Sequence, residues 1–389
     1  IVHAVREKRN KDSYSFLRFI FYRLINLISD DNLPNDVGDF RLCDKKVIDK
    51  ILEIDDQDPY IRGLISSIGY KEFGIKHERG ERYKNASKFN TLGQFSMHQT
   101  VLSQLKNRSK LYQFVNNKNL PKVSNPIIVS GLPRSGTTFL FDLLHCDISL
   151  RGPLTWEIFQ MMPITNSGIN KTIKVFKTKM KLLLIKALMP DLMRMHAMSA
   201  YLPEECQQIM SIDFKSISWA YNANVPEYEA FLKTCDYTSA ILWHSRFLQA
   251  LETAHKPKNW LLKDPCHIQH IPELLKVYPG SKFIFIHRDP VDTIPSISSL
   301  TTHLRSPFAK NIDTAEIGIN ALSFWKNAID CFLEDRKLIA NDNYVDINFK
   351  DFIAAPLEQI LAAYQSLGLE VSQQNKTQMR VFLFFRIIG

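Results

Sequence analysis

The stretch Pro126-Ile-Ile-Val-Ser-Gly-Leu-Pro-Arg-Ser-Gly-Thr-Thr-Phe-Leu140 constrains the fold more than any other part of the chain. Ile127, Ile128 and Val129 form a short β-branched run of the kind that fills a buried parallel strand. Gly131 and Gly136 bracket a tight loop, and Thr137, Thr138 and Phe139-Leu140-Phe141 open a helix. A strand, a glycine-bracketed turn and a helix start aim backbone N–H groups and a helix dipole at one point. That arrangement suits an anion, above all a phosphate. The Gly-x-x-x-x-Gly spacing is that of a P-loop, but Thr137 stands where a nucleoside triphosphatase has lysine. Arg134 is the only basic residue in the loop. The loop therefore points to a phosphate ester that is not handled as magnesium ATP.

At 389 residues the chain can bury a large core, as one α/β domain or a domain with a helical extension. The net charge of +9 fits an anionic ligand. No helix-turn-helix or aromatic-basic pattern accompanies it, so nucleic acid is not an expected partner. The cysteines (43, 146, 206, 235, 266 and 331) are scattered, with no C-x-x-C pair and no Cys/His cluster. Neither a metal ion nor a disulfide framework is expected, and Cys146 and Cys266 read as packing thiols. No apolar run reaches the length of a membrane span. The chain opens at Ile1, so the natural N-terminus is expected upstream. Cytoplasm is the default compartment; a Golgi membrane would require an upstream anchor.

Residues 1–120 show helical periodicity in Ser13–Ser29, Val47–Ile54 and Thr91–Leu111 and no clear strand. They predict an N-terminal helical extension ahead of an α/β domain over 121–389. Within that domain strands are expected at 126–130, Asn259–Lys263, Lys282–His287 and Tyr344–Asn348. Helices are expected at Thr138–His145, within 204–253, from Asp264-Pro265 through Leu275, from Pro290 toward Leu300 with Asp289 as cap, and at Ala355–Leu367. Alternating strands and helices imply a three-layer fold around a mostly parallel sheet, with ligands at the carboxyl ends of strands. The glycine loop, Lys263-Asp264 and His287-Arg288-Asp289 all fall at such ends. Residues 171–195 are apolar and rich in lysine. They read either as a surface helix that touches a lipid or hydrophobic acceptor, or as a core-covering helix with snorkelling lysines, and the second reading is preferred.

Gly131–Thr138 together with His287-Arg-Asp-Pro-Val-Asp-Thr-Ile-Pro-Ser296 resembles the two cosubstrate-binding elements of sulfotransferases, which use 3′-phosphoadenosine 5′-phosphosulfate (PAPS). Trp260-Leu-Leu-Lys-Asp-Pro265 with His267 resembles an intervening segment of that superfamily. Pro203-Glu-Glu-Cys206 and Tyr344-Val-Asp-Ile-Asn348 are similar to its bacterial-type branch. The resemblance implies a P-loop-like fold and a sulfuryl transfer to a hydroxyl or, less readily, an amine, on a small-molecule, lipid or glycan acceptor. It implies that Arg134, Ser135, Gly136, Thr137 and Thr138 hold the 5′-phosphosulfate and that Arg288 and Ser296 hold the 3′-phosphate. Lys263 would sit beside the leaving-group oxygens with Arg134, and Glu157, in Pro153-Leu-Thr-Trp-Glu157, would be the base. A carboxylate paired with a nearby arginine is the bland reading of Glu157, and a solvated strand-end lysine that of Lys263. His145, His196 and His267 are fallback bases. Glu204 and Glu205 read as acidic residues favouring a helix start.

The chain departs from the family at its end. Where the relatives carry a Gly/Lys/His-rich loop that closes over the cosubstrate, this chain has the aromatic run Met379–Gly389. That closing loop is expected to be missing or altered, and the run to expose apolar surface. Two other readings stay open: a P-loop nucleotide kinase or NTPase, and a non-catalytic nucleotide-binding relative.

Overall fold

In the computed structural model of the chain, the described residues are short segments before residue 78 (Val2–Arg6, Val37–Leu42, Lys46, Lys50 and Phe73–His77) and residues 89–388 apart from 117, 121, 124, 166 and 193–197. The chain divides into two units, Ile1–Ala86 and Ser87–Gly389.

The first unit holds a three-stranded sheet, β1 (Val2–Arg6), β2 (Val37–Leu42) and β3 (Phe73–His77), in the order β2-β1-β3. β1 runs antiparallel to β2 and parallel to β3. These strands stand where no clear strand was expected. Each has five or six residues and pairs with a segment tens of residues away. Such strands depend on their partners, and so short a run carries little periodic signal of its own. The helices expected at Ser13–Ser29 and Val47–Ile54 lie outside the described residues, Lys50 excepted.

The second unit begins with α1 (Thr91–Asn116), which the expected boundary at 120 had assigned to the extension. α1 is tied to the α/β body by buried Leu111, by Gln104 Nε2 donating to Ser211 Oγ at 2.8 Å, and by an Arg108–Asp213 ion pair at 3.1 Å. The central sheet comprises β4 (Ile127–Ser130), β5 (Leu150–Arg151), β6 (Asn259–Lys263), β7 (Lys282–His287) and β8 (Tyr344–Asn348). Its order is β5-β6-β4-β7-β8, and every pair is parallel.

Successive side chains feed two different cores. Ile128, Trp260, Leu262, Phe283 and Phe285 pack on one face, and Ile127, Val129, Leu261, Ile284 and Ile286 on the other. Both faces are covered at the three central strands, so the interiors of β4, β6 and β7 are apolar rather than alternating with polar residues. The helices follow in chain order as α2 (Thr137–Leu144), α3 (Thr155–Phe159), α4 (Gly168–Leu188), α5 (Cys206–Met210), α6 (Ile217–Asn222), α7 (Pro226–Leu232) and α8 (Thr238–Glu252). Then come α9 (Ile271–Val277), α10 (Pro290–Arg305), α11 (Thr314–Asp335), α12 (Phe349–Ala354), α13 (Pro356–Ser366) and α14 (Gln373–Ile388). α2, α13 and α14 cover the second face; α5, α8, α10 and α11 cover the first. The single helix expected from Asp264 to Leu275 is instead a 3₁₀ turn over Pro265–Gln269 followed by α9, with His270 between them.

Candidate functional site

The site forms where β4, β6 and β7 end side by side. Ser130 Oγ donates to the Asp264 carbonyl at 2.7 Å, fixing the end of β4 to that of β6. The chain then turns through Gly131, at φ 147°, where an added Cβ would fall 2.3 Å from the Ile286 carbonyl oxygen. Arg134 takes φ 69°, in the left-handed region that non-glycine residues seldom occupy. Ser135 Oγ donates to the Leu132 carbonyl at 2.6 Å and closes the turn. Gly136, at φ 94°, caps α2 without a side-chain hydrogen bond, so the helix opens toward the loop through backbone groups.

Two residues far from the loop in sequence meet Arg134 there. Arg134 Nε donates to Ser296 Oγ on α10 at 3.0 Å, and Arg288 Nη1 donates to the Arg134 carbonyl at 3.2 Å. The Arg288 guanidinium also lies 4.5 Å over the Phe349 ring. Asp289 Oδ1 accepts the Val291 amide at 2.9 Å and caps α10, as expected; this capped start fixes the helix that carries Ser296. Arg134, Gly136, Thr137, Thr138 and Arg288 line one end of a cavity of about 860 Å³. The hydroxyl of Ser135 points away from it, onto Leu132.

Lys263 does not itself line the cavity but lies behind two residues that do, Thr138 and Glu205. It is the last residue of β6 and is buried. Its Nζ donates to Thr138 Oγ1 at 3.0 Å, pairs with Glu205 Oε1 at 2.9 Å and lies 5.3 Å from the Phe141 ring centre. Glu205 is the N-cap residue of α5 and lines the cavity, and Gln207 Nε2 donates to its other oxygen. Glu204 also borders the cavity, but its Oε1 accepts the Glu205 amide at 3.0 Å.

Glu157 lies elsewhere. Its Oε2 accepts the Leu154 amide at 2.8 Å at the start of α3, its Oε1 is paired with Arg151, and it does not line the cavity. β5 adjoins β6 and the entry to α3 is bridged to Pro203, but the Glu157 carboxylate is engaged by Arg151 and the Leu154 amide, whereas Lys263 pairs with Glu205. Glu205 was legible only as part of Pro203-Glu-Glu-Cys206; nothing local distinguishes it from Glu204.

Of the fallback bases, His267 is fully buried with neither ring nitrogen bonded to a protein group, and burial first, then His270 and His244, push its pKa well below the usual histidine value. The pKa of His145 is lowered by burial and by Arg151, and neither histidine lines the cavity. His196 lies outside the described residues. Burial raises the Cys146 thiol to about 11 and that of Cys266 well above its ordinary value, so both are neutral packing groups near pH 7. Asp264 borders the cavity as a buried carboxyl, held well above the usual carboxylate range by burial and then by Glu205.

The rest of the cavity is mainly apolar, with Phe159, Leu202, Tyr221, Leu300, Phe382 and Phe385 among its walls. The last two come from α14. The terminal aromatic run, expected to expose apolar surface, does so at Val381 and Phe384, but it also buries Met379 and brings Phe382 against Phe139, ring centres 6.5 Å apart.

Comparison with known proteins places this geometry. The pattern of the sulfotransferase family matches residues 126–373, more than half of the chain. The omega-hydroxy-beta-dihydromenaquinone-9 sulfotransferase Stf3 of Mycobacterium bovis is 26% identical over 268 residues, 66% of each chain. The crystal structure of sulfotransferase STF9 from Mycobacterium avium superposes with a TM-score of 0.69 at 25% identity, covering 77% of this chain and 79% of that one. STF1 from Mycobacterium tuberculosis H37Rv gives 0.62 at 27% identity, covering 77% and 83%. A separate likeness, 36% over 91 residues, is to the uncharacterized glycosyltransferase YkcC of Bacillus subtilis; it takes in 23% of this chain and 28% of that protein. The chain thus spans under a third of the glycosyltransferase it matches and about two thirds of Stf3. The match from β4 into α14 covers the loop, both flanking strand ends and the helix bearing Ser296, and the chain belongs to the sulfotransferase family.

Proposed function

We propose that the chain transfers a sulfuryl group from PAPS to the hydroxyl of a small, largely apolar acceptor. The observation that carries this reading is the meeting of Arg134, Ser296 and Arg288 at a glycine-bracketed helix start, beside the buried Thr138–Lys263–Glu205 chain. Arginine forks and helix-start amides suit two separate phosphate groups on one ligand. Arg288 and Ser296 would hold the 3′-phosphate, and Arg134 with the Ser135–Thr138 backbone and the two threonine hydroxyls would hold the 5′-phosphosulfate.

In the transfer, the acceptor oxygen forms a bond to sulfur as the bond from sulfur to the bridging phosphate oxygen breaks. Adenosine 3′,5′-bisphosphate leaves with that electron pair. Lys263 and Arg134 meet the negative charge that builds on the bridging oxygen. The acceptor proton goes to a carboxylate. Glu157 is the candidate by sequence; Glu205 is the candidate favoured by geometry, because it lines the cavity and sits 2.9 Å from Lys263.

Thermal stabilisation by adenosine 3′,5′-bisphosphate, compared with ATP with and without Mg²⁺, tests the donor. The bisphosphate should raise the melting temperature without metal, and Arg288→Ala should abolish the shift. A shift only with magnesium ATP would instead favour a nucleotide kinase. Glu205→Gln should lower turnover about 100-fold or more with bisphosphate binding retained. Glu157→Gln should leave turnover within a few fold. The reverse pattern would return the base to Glu157.

A further inference from the structure

α4 carries apolar residues on two opposite sides. Its inner side, Val175, Thr178 and Leu182, is buried, and Lys174 there donates to the Pro163 carbonyl at 2.8 Å. Its outer side exposes Ile169, Ile173, Phe176, Met180, Leu183 and Leu184, with Phe176 63% and Leu183 58% accessible. At 3.6 residues per turn these six fall within one arc of roughly 100°. Lys177 flanks the arc on one side, and Lys179 and Lys186 on the other; Lys181, beside Lys177, instead turns its ammonium onto the Phe159 ring. The helix contains no aspartate or glutamate. A helix that merely covered the core would turn its large apolar residues inward, whereas here most of them face out. The snorkelling-lysine reading therefore accounts only for the inner side.

We infer that the outer face of α4 docks the protein on an anionic phospholipid bilayer, with the cavity set to receive an acceptor held in that bilayer. An apolar stripe with lysines on both flanks is the pattern of a helix lying in the membrane interface, where anionic headgroups attract the flanks. A protein partner fits less well. Protein interfaces favour arginine, tyrosine and tryptophan and are depleted in lysine, and α4 has six lysines and none of those three. No described helix is long and apolar enough to cross a membrane, so the contact is lateral. α4 also adjoins the cavity wall. The Lys181 ammonium lies 4.3 Å over the ring of Phe159, and Phe159 and Leu192, four residues beyond the helix, both line the cavity. The role given to the cavity rests on the reading of it as an acceptor site; the docking face itself does not.

The test is co-sedimentation of the full chain with vesicles of phosphatidylcholine alone and of phosphatidylcholine with phosphatidylglycerol, at low and raised salt. The chain should bind the anionic vesicles. A triple variant, Ile173→Ser with Phe176→Ser and Leu183→Ser, should lower that binding about tenfold or more. Its melting temperature and bisphosphate binding should match wild type, because all three side chains are solvent-facing. Lys177→Gln with Lys186→Gln should weaken binding to anionic vesicles only. The inference is overturned if wild type ignores anionic vesicles, if the triple variant binds as wild type does, or if the stripe instead forms a dimer that the triple variant dissolves. Vesicle binding intact with no bisphosphate binding would uphold the docking face and sink the donor reading.

Discussion

Asp264 shows how one residue at the site affects stability as well as chemistry. Its Oδ1 accepts the Cys266 amide at 2.9 Å, while its Oδ2 is buried without a hydrogen-bonding partner. Burial, then the nearby Glu205 carboxylate, hold its pKa far above 3.8. A group whose folded pKa is raised favours the folded state below its unfolded pKa, and that contribution is lost as pH rises toward the folded value. Asp264→Asn keeps the cap acceptor and removes the charge. It should raise the unfolding free energy at pH 8 and lose that advantage near pH 4, as read by urea denaturation at both values. An equal effect at the two pH values would show that the carboxyl is not the cause. Lys263 is buried too, but it differs from Asp264 in holding both an ionic and a hydrogen-bond partner. That contrast separates a charge the fold accommodates from one it resists.

At the scale of elements, strands were more legible than helix ends. Lys282–His287 stands where its apolar run predicted it, because a strand covered on both faces is apolar through its interior; the edge strand Tyr344–Asn348 also stands as expected, although only Ile347 of it is buried. β5 escaped notice because two residues, Leu150 and Arg151, leave no period to read. α14 could be read only as an aromatic run, since its partner Phe139 lies over 200 residues away in sequence. Glu157 belongs to this scale as well. It links β5, through Arg151, to the first turn of α3, and Arg151 in turn stacks 5.1 Å from the Trp260 ring centre. Glu157→Ala would leave the half-buried Arg151 without its carboxylate and remove the cap on α3. It should cost about 3 kcal/mol of stability by chemical denaturation. A cost below about 0.5 kcal/mol would place the pair among ion pairs of no consequence.

Across the whole molecule, the buried histidines set a lower limit on the working pH. Burial lowers His244 and His270 to about 3 and His267 well below its ordinary 6.5. The three rings form one cluster, with His244 and His270 each about 6.5 Å from His267. Below pH 6.5 the unfolded chain takes up protons that the folded chain refuses, so stability present above 6.5 falls as the pH drops toward 3. The slope is about 1.4 kcal/mol per pH unit for each histidine. His145 acts in the same sense, and Asp264 and Glu229, both raised by burial, act in the opposite one, two groups against four. Unfolding free energy should therefore fall between pH 6.5 and 5, and His244→Gln should flatten that fall by about half. A flat profile over this range would remove the cluster as its cause. At this scale the sequence suggested the sulfotransferase core through motifs at strand ends, while Glu205 and the first-unit sheet depended on contacts that only folding creates.

The strand order has a consequence for how such a protein can change. The loop after β4, Lys263 after β6 and Arg288 after β7 are neighbours because β6, β4 and β7 are neighbours. Much of the opposite wall, including Phe159, Leu202 and Tyr221, comes from the single excursion between β5 and β6. The two ends of the cavity therefore sit on separable stretches of chain. The excursion also carries Glu205, which pairs with Lys263, and the core helices α5 and α8, so the part free to diversify is confined to its cavity-lining apolar positions while the three strand ends stay constant.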